Sequence, residues 1–279
     1  MSDPESDIPR IRRLSAARGP AIQYRSLAGF EWNRVELAIP DLAPALEGVR
    51  LIHLSDLHLR RALPAEMEQV IERVNADPRP ALVLFTGDLV DDKRDPRPAL
   101  PAVERLIKSL KPTAGLFAVT GNHDGDLLTP RLSAWGLRVL LNERIEVSVN
   151  TSRIELIGLP GADRVDLDER FLRTLPARSP GVPRVVLAHY PDLIRQTRGL
   201  GVDLYLAGHT HGGQICLPNG YAMMTHDSLP KRLCRGAHDV EGTCLIVNRG
   251  FGFTTIPLRV FCPAEVVEVE LKRTMNDER

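Results

Sequence analysis

The stretch 81-ALVLFTGDLVD-91 decides how the chain folds. Five apolar residues and a threonine stop abruptly at Gly87 and Asp88. A run this short, continuous in hydrophobicity and closed by a polar turn fits a strand buried on both faces. The same pattern occurs upstream, where 49-VRLIHLS-55 runs into Asp56, and downstream, where 115-GLFAVTG-121 runs into Asn122. It returns in 184-RVVLA-188 before His189 and in 203-DLYLAG-208 before His209. Helix-like segments with proline near their starts, 64–76 and 99–110, separate the first three runs. Strand alternating with helix is the signature of βαβ units with parallel strands.

Outside these units the pattern changes. Residues 144–150 and 153–159 alternate apolar and polar around Asn150-Thr151-Ser152, which predicts a hairpin. CLIVNRG (244–250) and AEVVEVEL (264–271) are also strand-like. The expectation is an α/β fold with mixed sheets and one domain over residues 31–279. Residues 1–30 read as a poorly ordered arm, with Gly19-Pro20 and little apolar content. Arg10, Arg12, Arg13 and Arg18 lie in that arm, and Ile8, Ile11 and Leu14 fall at helical spacing. A solvated tail is the expectation for it; contact with anionic lipid is the alternative.

The bulk numbers exclude several classes. Formal net charge is zero, so no global field draws the chain to nucleic acid or to an anionic membrane. The four cysteines, Cys216, Cys234, Cys244 and Cys262, all fall in the last quarter without CxxC spacing, which predicts buried thiols. No signal-like h-region and no run of about 18 apolar residues occurs. A cytoplasmic protein is expected, peripheral to a membrane at most.

Ligands of open α/β sheets bind beyond the carboxyl ends of the strands. Five polar clusters are predicted there: 56-DLH-58, 87-GDLVD-91, 121-GNHD-124, His189 and 208-GHTH-211. Each has an ordinary reading alone. Gly-Asp and Gly-Asn are common turn dipeptides, and a single histidine after a strand is usually structural. Together they place five of the eight histidines at strand ends beside Asp56, Asp88 and Asn122. Residues i and i+2 of an extended segment share a side, so Asp56 and His58 can reach one cation. A carboxylate such as Asp88 can offer an oxygen to each of two. Nitrogen and oxygen donors without thiolate suit Mn²⁺, Fe or Zn²⁺.

The ordered series D-x-H, G-D-x-x-D, G-N-H-D, H, G-H-x-H resembles the signature of the calcineurin-like metallophosphoesterases, over about residues 50–212. LSDLHL, TGDLVD, GHTHGGQI and the closing NRGFG…PLR are similar to a narrower bacterial subgroup, the YaeI/YkuE-like phosphoesterases. That subgroup includes enzymes acting on UDP-2,3-diacylglucosamine. Its members often begin with a membrane-anchoring helix; no such run occurs here, so tight attachment is not expected.

The resemblance implies a calcineurin-like four-layer α/β/β/α sandwich with two mixed β-sheets. It also implies two divalent metal ions, one held by Asp56, His58, Asp88 and His211, the other by Asp88, Asn122, His189 and His209. A metal-bridging hydroxide would hydrolyse a phosphodiester or pyrophosphate, with a UDP-2,3-diacylglucosamine-type lipid precursor as one substrate. His123 occupies the position of the residue that protonates or stabilises the leaving group, and Asp124 is expected to orient its imidazole. Asp91 is expected to fix the loop that carries Asp88.

Other residues carry weaker expectations. His53 reads as structural, and Trp32 and Trp135 as packing. The segment 221–238 contains His226 and His238 and follows GHTH directly, so it is expected to border the cleft. Met223, Met224 and Leu229 would meet an apolar substrate part, with Lys231, Arg232 and Arg235, and also Arg60 and Arg61, near phosphate. The expected partner is a small phosphorylated molecule, a nucleotide-linked lipid among the options. Extended nucleic acid is not expected, because no basic stretch with interleaved aromatics occurs. The alternatives are a phosphomonoesterase, a cyclic-nucleotide or nucleic-acid phosphodiesterase, and a non-catalytic scaffold on the same fold.

Overall fold

Alternation within the apolar runs sorts their side chains onto opposite faces of a sheet. In the strand Ala81–Thr86, Leu82 and Leu84 take one face, Val83 and Phe85 the other, and all four are fully buried. Leu82 and Leu84 join a core shared with Val185, Leu187, Leu204 and Leu206 of a second sheet. Val83 and Phe85 pack instead on Met67, Val70, Val103 and Leu106, from the helices Ala65–Ala76 and Leu100–Ser109. The second sheet has its own outer core, where Val186 and Tyr205 meet Leu172 and Leu193. Three apolar layers therefore alternate with two sheets, the calcineurin-like α/β/β/α sandwich expected from the sequence.

The computed structural model describes residues 10–14, 18–79, 81–125, 128–160, 165–225 and 227–274. The larger sheet has the order Ile11–Leu14, Glu31–Ile39, Glu265–Arg273, Arg50–Leu54, Ala81–Thr86, Leu116–Val119, Arg138–Val139. Its last four strands are parallel, and Glu265–Arg273 runs antiparallel to Arg50–Leu54. The second sheet has the order Gly236–Val240, Thr243–Val247, Leu204–Ala207, Arg184–Ala188, Ser152–Leu159, Glu143–Val149. Its four central strands are parallel and the two edges antiparallel. The predicted hairpin is the pair Glu143–Val149 and Ser152–Leu159, turning at Asn150 with φ of 54°.

The expected arm needs correction where it is described. Ile11–Leu14 forms a strand against Glu31–Ile39, and Ile22–Tyr24 pairs with Leu258–Val260. The spacing of Ile11 and Leu14 is thus not helical in outcome, because an open sheet edge offers this segment its hydrogen bonds. Arg10 pairs with Asp203 and Arg13 donates to the Ala237 carbonyl, so both face protein. Residues 1–9 and 15–17, Ile8 included, and His226 lie outside the described residues.

Candidate metal centre

The parallel strands of both sheets end at one rim, and the loops leaving them carry the polar clusters. Asp56 and His58 follow Arg50–Leu54, Asp88 follows Ala81–Thr86, and Asn122 and His123 follow Leu116–Val119. From the second sheet come His189 after Arg184–Ala188, and His209 and His211 after Leu204–Ala207. Asp56, His58, Asp88, His209 and His211 all hold positive φ, between 44° and 67°. Non-glycine residues rarely adopt this region, and such strain clusters where geometry serves function. Two glycines let the loops close up. A Cβ on Gly208 would collide with Ser55 Oγ and Asp56 Oδ2, and one on Gly121 with Asp88 Oδ1.

The seven expected ligands converge in two groups around Asp88. In one, His58 Nε2 lies 3.1 Å from His211 Nε2 and 3.7 Å from Asp88 Oδ2. His211 Nε2 lies 3.3 Å from Asp56 Oδ1. In the other, His189 Nε2 is 3.4 Å from Asp88 Oδ2, 3.0 Å from Asn122 Oδ1 and 3.2 Å from His209 Nδ1. Asn122 Oδ1 is also 3.2 Å from His209 Nδ1. Donor atoms of Asp56, His58 and His211, and those of Asp56, Asp88 and His189, lie within 4.8 Å of one another. His58, Asp88 and His123 make a third such group.

The chemistry of these contacts fits cations. His189 Nδ1 lies 2.8 Å from the Thr86 carbonyl, a contact that requires Nδ1–H and leaves Nε2 as a lone pair. That lone pair faces a carboxylate and an amide oxygen, both acceptors. Acceptors packed against acceptors are satisfied only by a proton or a metal ion. The electrostatics agree. Burial raises the Asp88 carboxyl, but the His189 charge and hydrogen bond outweigh it and hold it near 2. Burial lowers His189, yet Asp88 and Asp56 push it up to about 9. Asp56, fully buried, is likewise held below the usual carboxylate range against its burial by His211, His189 and His58. The rim therefore keeps negative charge and demands positive charge between its side chains.

Two expected roles are redistributed. Asp124 does not orient His123. Its carboxylate accepts from the amides of Leu89 at 2.9 Å, Val90 at 3.3 Å and Gly121 at 3.0 Å, tying two site loops together. Main-chain donors at strand ends need such an acceptor, and the Asp124 carboxyl meets that need. The orienting contact comes from Asp91, whose main-chain carbonyl takes His123 Nδ1 at 2.6 Å. The Asp91 carboxylate pairs with Arg60 Nε at 2.8 Å and lies 3.5 Å from His58 Nδ1, so Asp91 reaches two imidazoles and holds one of them, His123, through its carbonyl.

Beside the centre lies a cavity of ≈ 530 Å³, lined by Asp88, Asn122, His123, His209 and His211 on one side. Ile215, Met223, Met224 and Ile256 line the other, so both predicted methionines border the cleft. The arginines do not. Arg60 is held by Asp91, and Arg61 is exposed away from the lining. Arg232 lines a separate surface groove with Arg13 and His238, and Arg235 reaches the Phe261 carbonyl. Sequence reasoning placed Gln214 in the GHTHGGQI motif but gave it no contact; its carboxamide bonds Thr254 and Ile256 and so attaches the 254–256 loop to GHTHGG. Sequence reasoning missed Tyr190, whose ring lies 4.3 Å from that of His209. The glycine run before Gln214 was the available signal; for Tyr190 only its adjacency to His189 was.

Residues 49–213 match the family model described as calcineurin-like phosphoesterase. The chain is similar to an uncharacterized metallophosphoesterase, YkuE, of Bacillus subtilis (strain 168), at 32% identity over 82% of this chain and 80% of that protein. It is 30% identical to phosphodiesterase YaeI of Escherichia coli (strain K12), over 80% of this chain and 82% of that protein. It is 28% identical to a transmembrane protein with metallophosphoesterase domain of Danio rerio, over 86% of this chain and 56% of that protein. Among the described residues, no helix is long and apolar enough to cross a membrane.

Proposed function

For a chain that belongs to the calcineurin-like phosphoesterases, a family of metal-dependent hydrolases, we propose hydrolysis of a phosphodiester or pyrophosphate at a centre of two divalent cations. The observation that carries this reading is the acceptor-against-acceptor packing of His189 Nε2 with Asp88 and Asn122. Asp56, His58, Asp88 and His211 would hold one cation, and Asp88, Asn122, His189 and His209 the other. Bound there, the cations would activate water and clamp the phosphoryl oxygens. The chain's own groups do the rest. The Thr86 carbonyl fixes the tautomer of His189, so that its Nε2 lone pair faces inward, and the Asp91 carboxylate lies 3.5 Å from His58 Nδ1. His123, with Nδ1 held by the Asp91 carbonyl, lines the cavity and would protonate the leaving oxygen.

The apolar wall of the cavity supports a substrate with a hydrocarbon part, a nucleotide-linked lipid of the diacylglucosamine type. No arginine lines that cavity among the described residues, so recognition of phosphate would fall to the cations. The test is a product assay on the metal-loaded protein with four substrates: UDP-diacylglucosamine, a cyclic nucleotide, a bis-aryl phosphate and a phosphomonoester. Turnover of the diester and the lipid pyrophosphate above the other two is expected. Preference for the monoester, or no turnover with Mn²⁺, Zn²⁺ or Fe supplied, overturns the reading.

A further inference from the structure

Beside the cavity mouth, four extended segments lie side by side and present apolar side chains to solvent. Ile22–Tyr24 pairs with Leu258–Val260, Val260 bridges Ile215, and Cys216 bridges Ala222. Along each segment alternate residues are buried: Gln23, Arg259, Cys216 and Ala222 face inward. Their neighbours face out. Ile22 and Tyr24 are 62% and 59% exposed. Leu217 and Tyr221 flank the next pair at 44% and 53%, and Met223 continues the face at 60%. A ribbon of extended segments with one solvated face normally carries polar residues there, and this one, antiparallel but for the parallel bridge Ile215–Val260, inverts the rule.

The charges carried by the segments of the face are of one sign, with Glu66 reaching it only through Ser26. Residues 18–30, 208–225 and 249–264, which build it, contain no aspartate or glutamate. Arg25 stacks its guanidinium 5.2 Å above the Tyr24 ring, and Lys231 sets its ammonium 5.4 Å from the Tyr221 ring. Each tyrosine thus pairs an apolar body with a hydroxyl and a cation at the same depth, the combination suited to the headgroup layer of a bilayer. A second copy of the chain would bring cations against cations in a two-fold contact.

We propose that this ribbon docks on a lipid bilayer carrying anionic headgroups, with Ile22, Tyr24, Leu217 and Tyr221 entering the interface and Arg25 and Lys231 meeting phosphate. Met223 belongs both to this face and to the cavity wall, so the docked protein opens its metal centre toward the membrane. The proposal concerns where the protein sits and does not depend on which ester it hydrolyses.

The test is co-sedimentation of the full chain with phosphatidylcholine vesicles and with phosphatidylcholine–phosphatidylglycerol vesicles, beside turnover of a soluble bis-aryl phosphate. The protein should partition onto the anionic vesicles, more weakly onto the neutral ones, and less at high salt. The combined substitution Ile22→Ser, Tyr24→Ser and Leu217→Ser should reduce partitioning by about tenfold or more while soluble turnover persists. Arg25→Glu, which keeps the apolar side chains of the face, should weaken binding to anionic vesicles alone. Wild-type protein that ignores anionic vesicles, or serine and glutamate variants that bind them equally well, overturns the proposal. So does a dimer or a bound protein partner that the serine substitutions abolish without any effect on vesicles.

Discussion

The two sheets bring different chemistry to the same rim. The larger sheet delivers the acids, Asp56, Asp88, Asp91 and Asp124, together with His58, Asn122 and His123. The second delivers the imidazoles of His189, His209 and His211. The strain is shared, since positive φ occurs at Asp56 and Asp88 on one side and at His209 and His211 on the other. Charge is not shared. Asp56 raises the Asp88 carboxyl by repulsion, and the opposing pull comes across the sheet interface from His189. The groups around Asp56 and around His189 draw on both sheets; only the His58, Asp88 and His123 group comes from the larger sheet by itself. The acids would supply the reason for a cation to bind, and the imidazoles would complete its coordination as neutral donors.

If that division holds, removing an acid should cost more than removing an imidazole. Asp88→Ala takes an oxygen from both groups of ligands and leaves two facing histidine clusters without charge to attract a cation. Turnover of a bis-aryl phosphate should fall by roughly 10³-fold or more, with bound metal falling in parallel by elemental analysis. His209→Ala should lose about 10²-fold and remain partly rescuable by excess metal, because all the carboxylates survive. Equal losses, or full turnover by a metal-stripped Asp88→Ala protein, would break the comparison.

A smaller effect probes how the larger sheet aims its side chains. Asp91→Ala removes the carboxylate facing His58 Nδ1 but keeps the main-chain carbonyl that holds His123. Metal affinity or turnover should drop by about 10–100-fold. Arg60→Ala, which loses only the partner on the far side of Asp91, should change little. Comparable losses from the two substitutions would mean that the Arg60–Asp91 pair, rather than the contact to His58, sets the geometry.

The smallest effect concerns a histidine of the larger sheet that lies inside a strand instead of beyond its end. His53 is fully buried, its Nε2 2.8 Å from Thr86 Oγ1, and desolvation lowers it from 6.5 to about 3. The folded state keeps it neutral while the unfolded chain takes up a proton below pH 6.5. Its contribution to stability is present above that pH and is lost as pH falls from 6.5 toward 3, at up to about 1.4 kcal/mol per pH unit. His53→Gln should flatten the pH dependence of urea unfolding across that window by up to one proton. An unchanged slope would show that His53 does not stay neutral in the folded protein.

Much of the molecule was legible because two local rules act within a few residues. Apolar runs closed by a polar turn marked the central strands of both sheets, and the same boundaries placed the seven candidate ligands at the rim. The edges were less legible. Glu31–Ile39 alternates Val35, Leu37 and Ile39 and was open to recognition, but Ile11–Leu14 and Ile22–Tyr24 are too short for any periodic signal. Their pairing depends on what lies opposite, Glu31–Ile39 in one case and Leu258–Val260, more than 230 positions away, in the other.

What the sequence alone determined is the donor set and its order: D-x-H, G-D, G-N-H-D, H and G-H-x-H behind strands that can only be buried. Residue type and spacing carry that information because each ligand sits within a few residues of its own strand end. Only the tertiary structure decided which donor faces which. It gave His123 to the Asp91 carbonyl instead of Asp124, held Arg60 away from the cavity, and left an apolar ribbon exposed beside the mouth. Those assignments depend on loops from two sheets meeting across a packed core, and a one-dimensional pattern does not encode the distances between segments that only packing brings together.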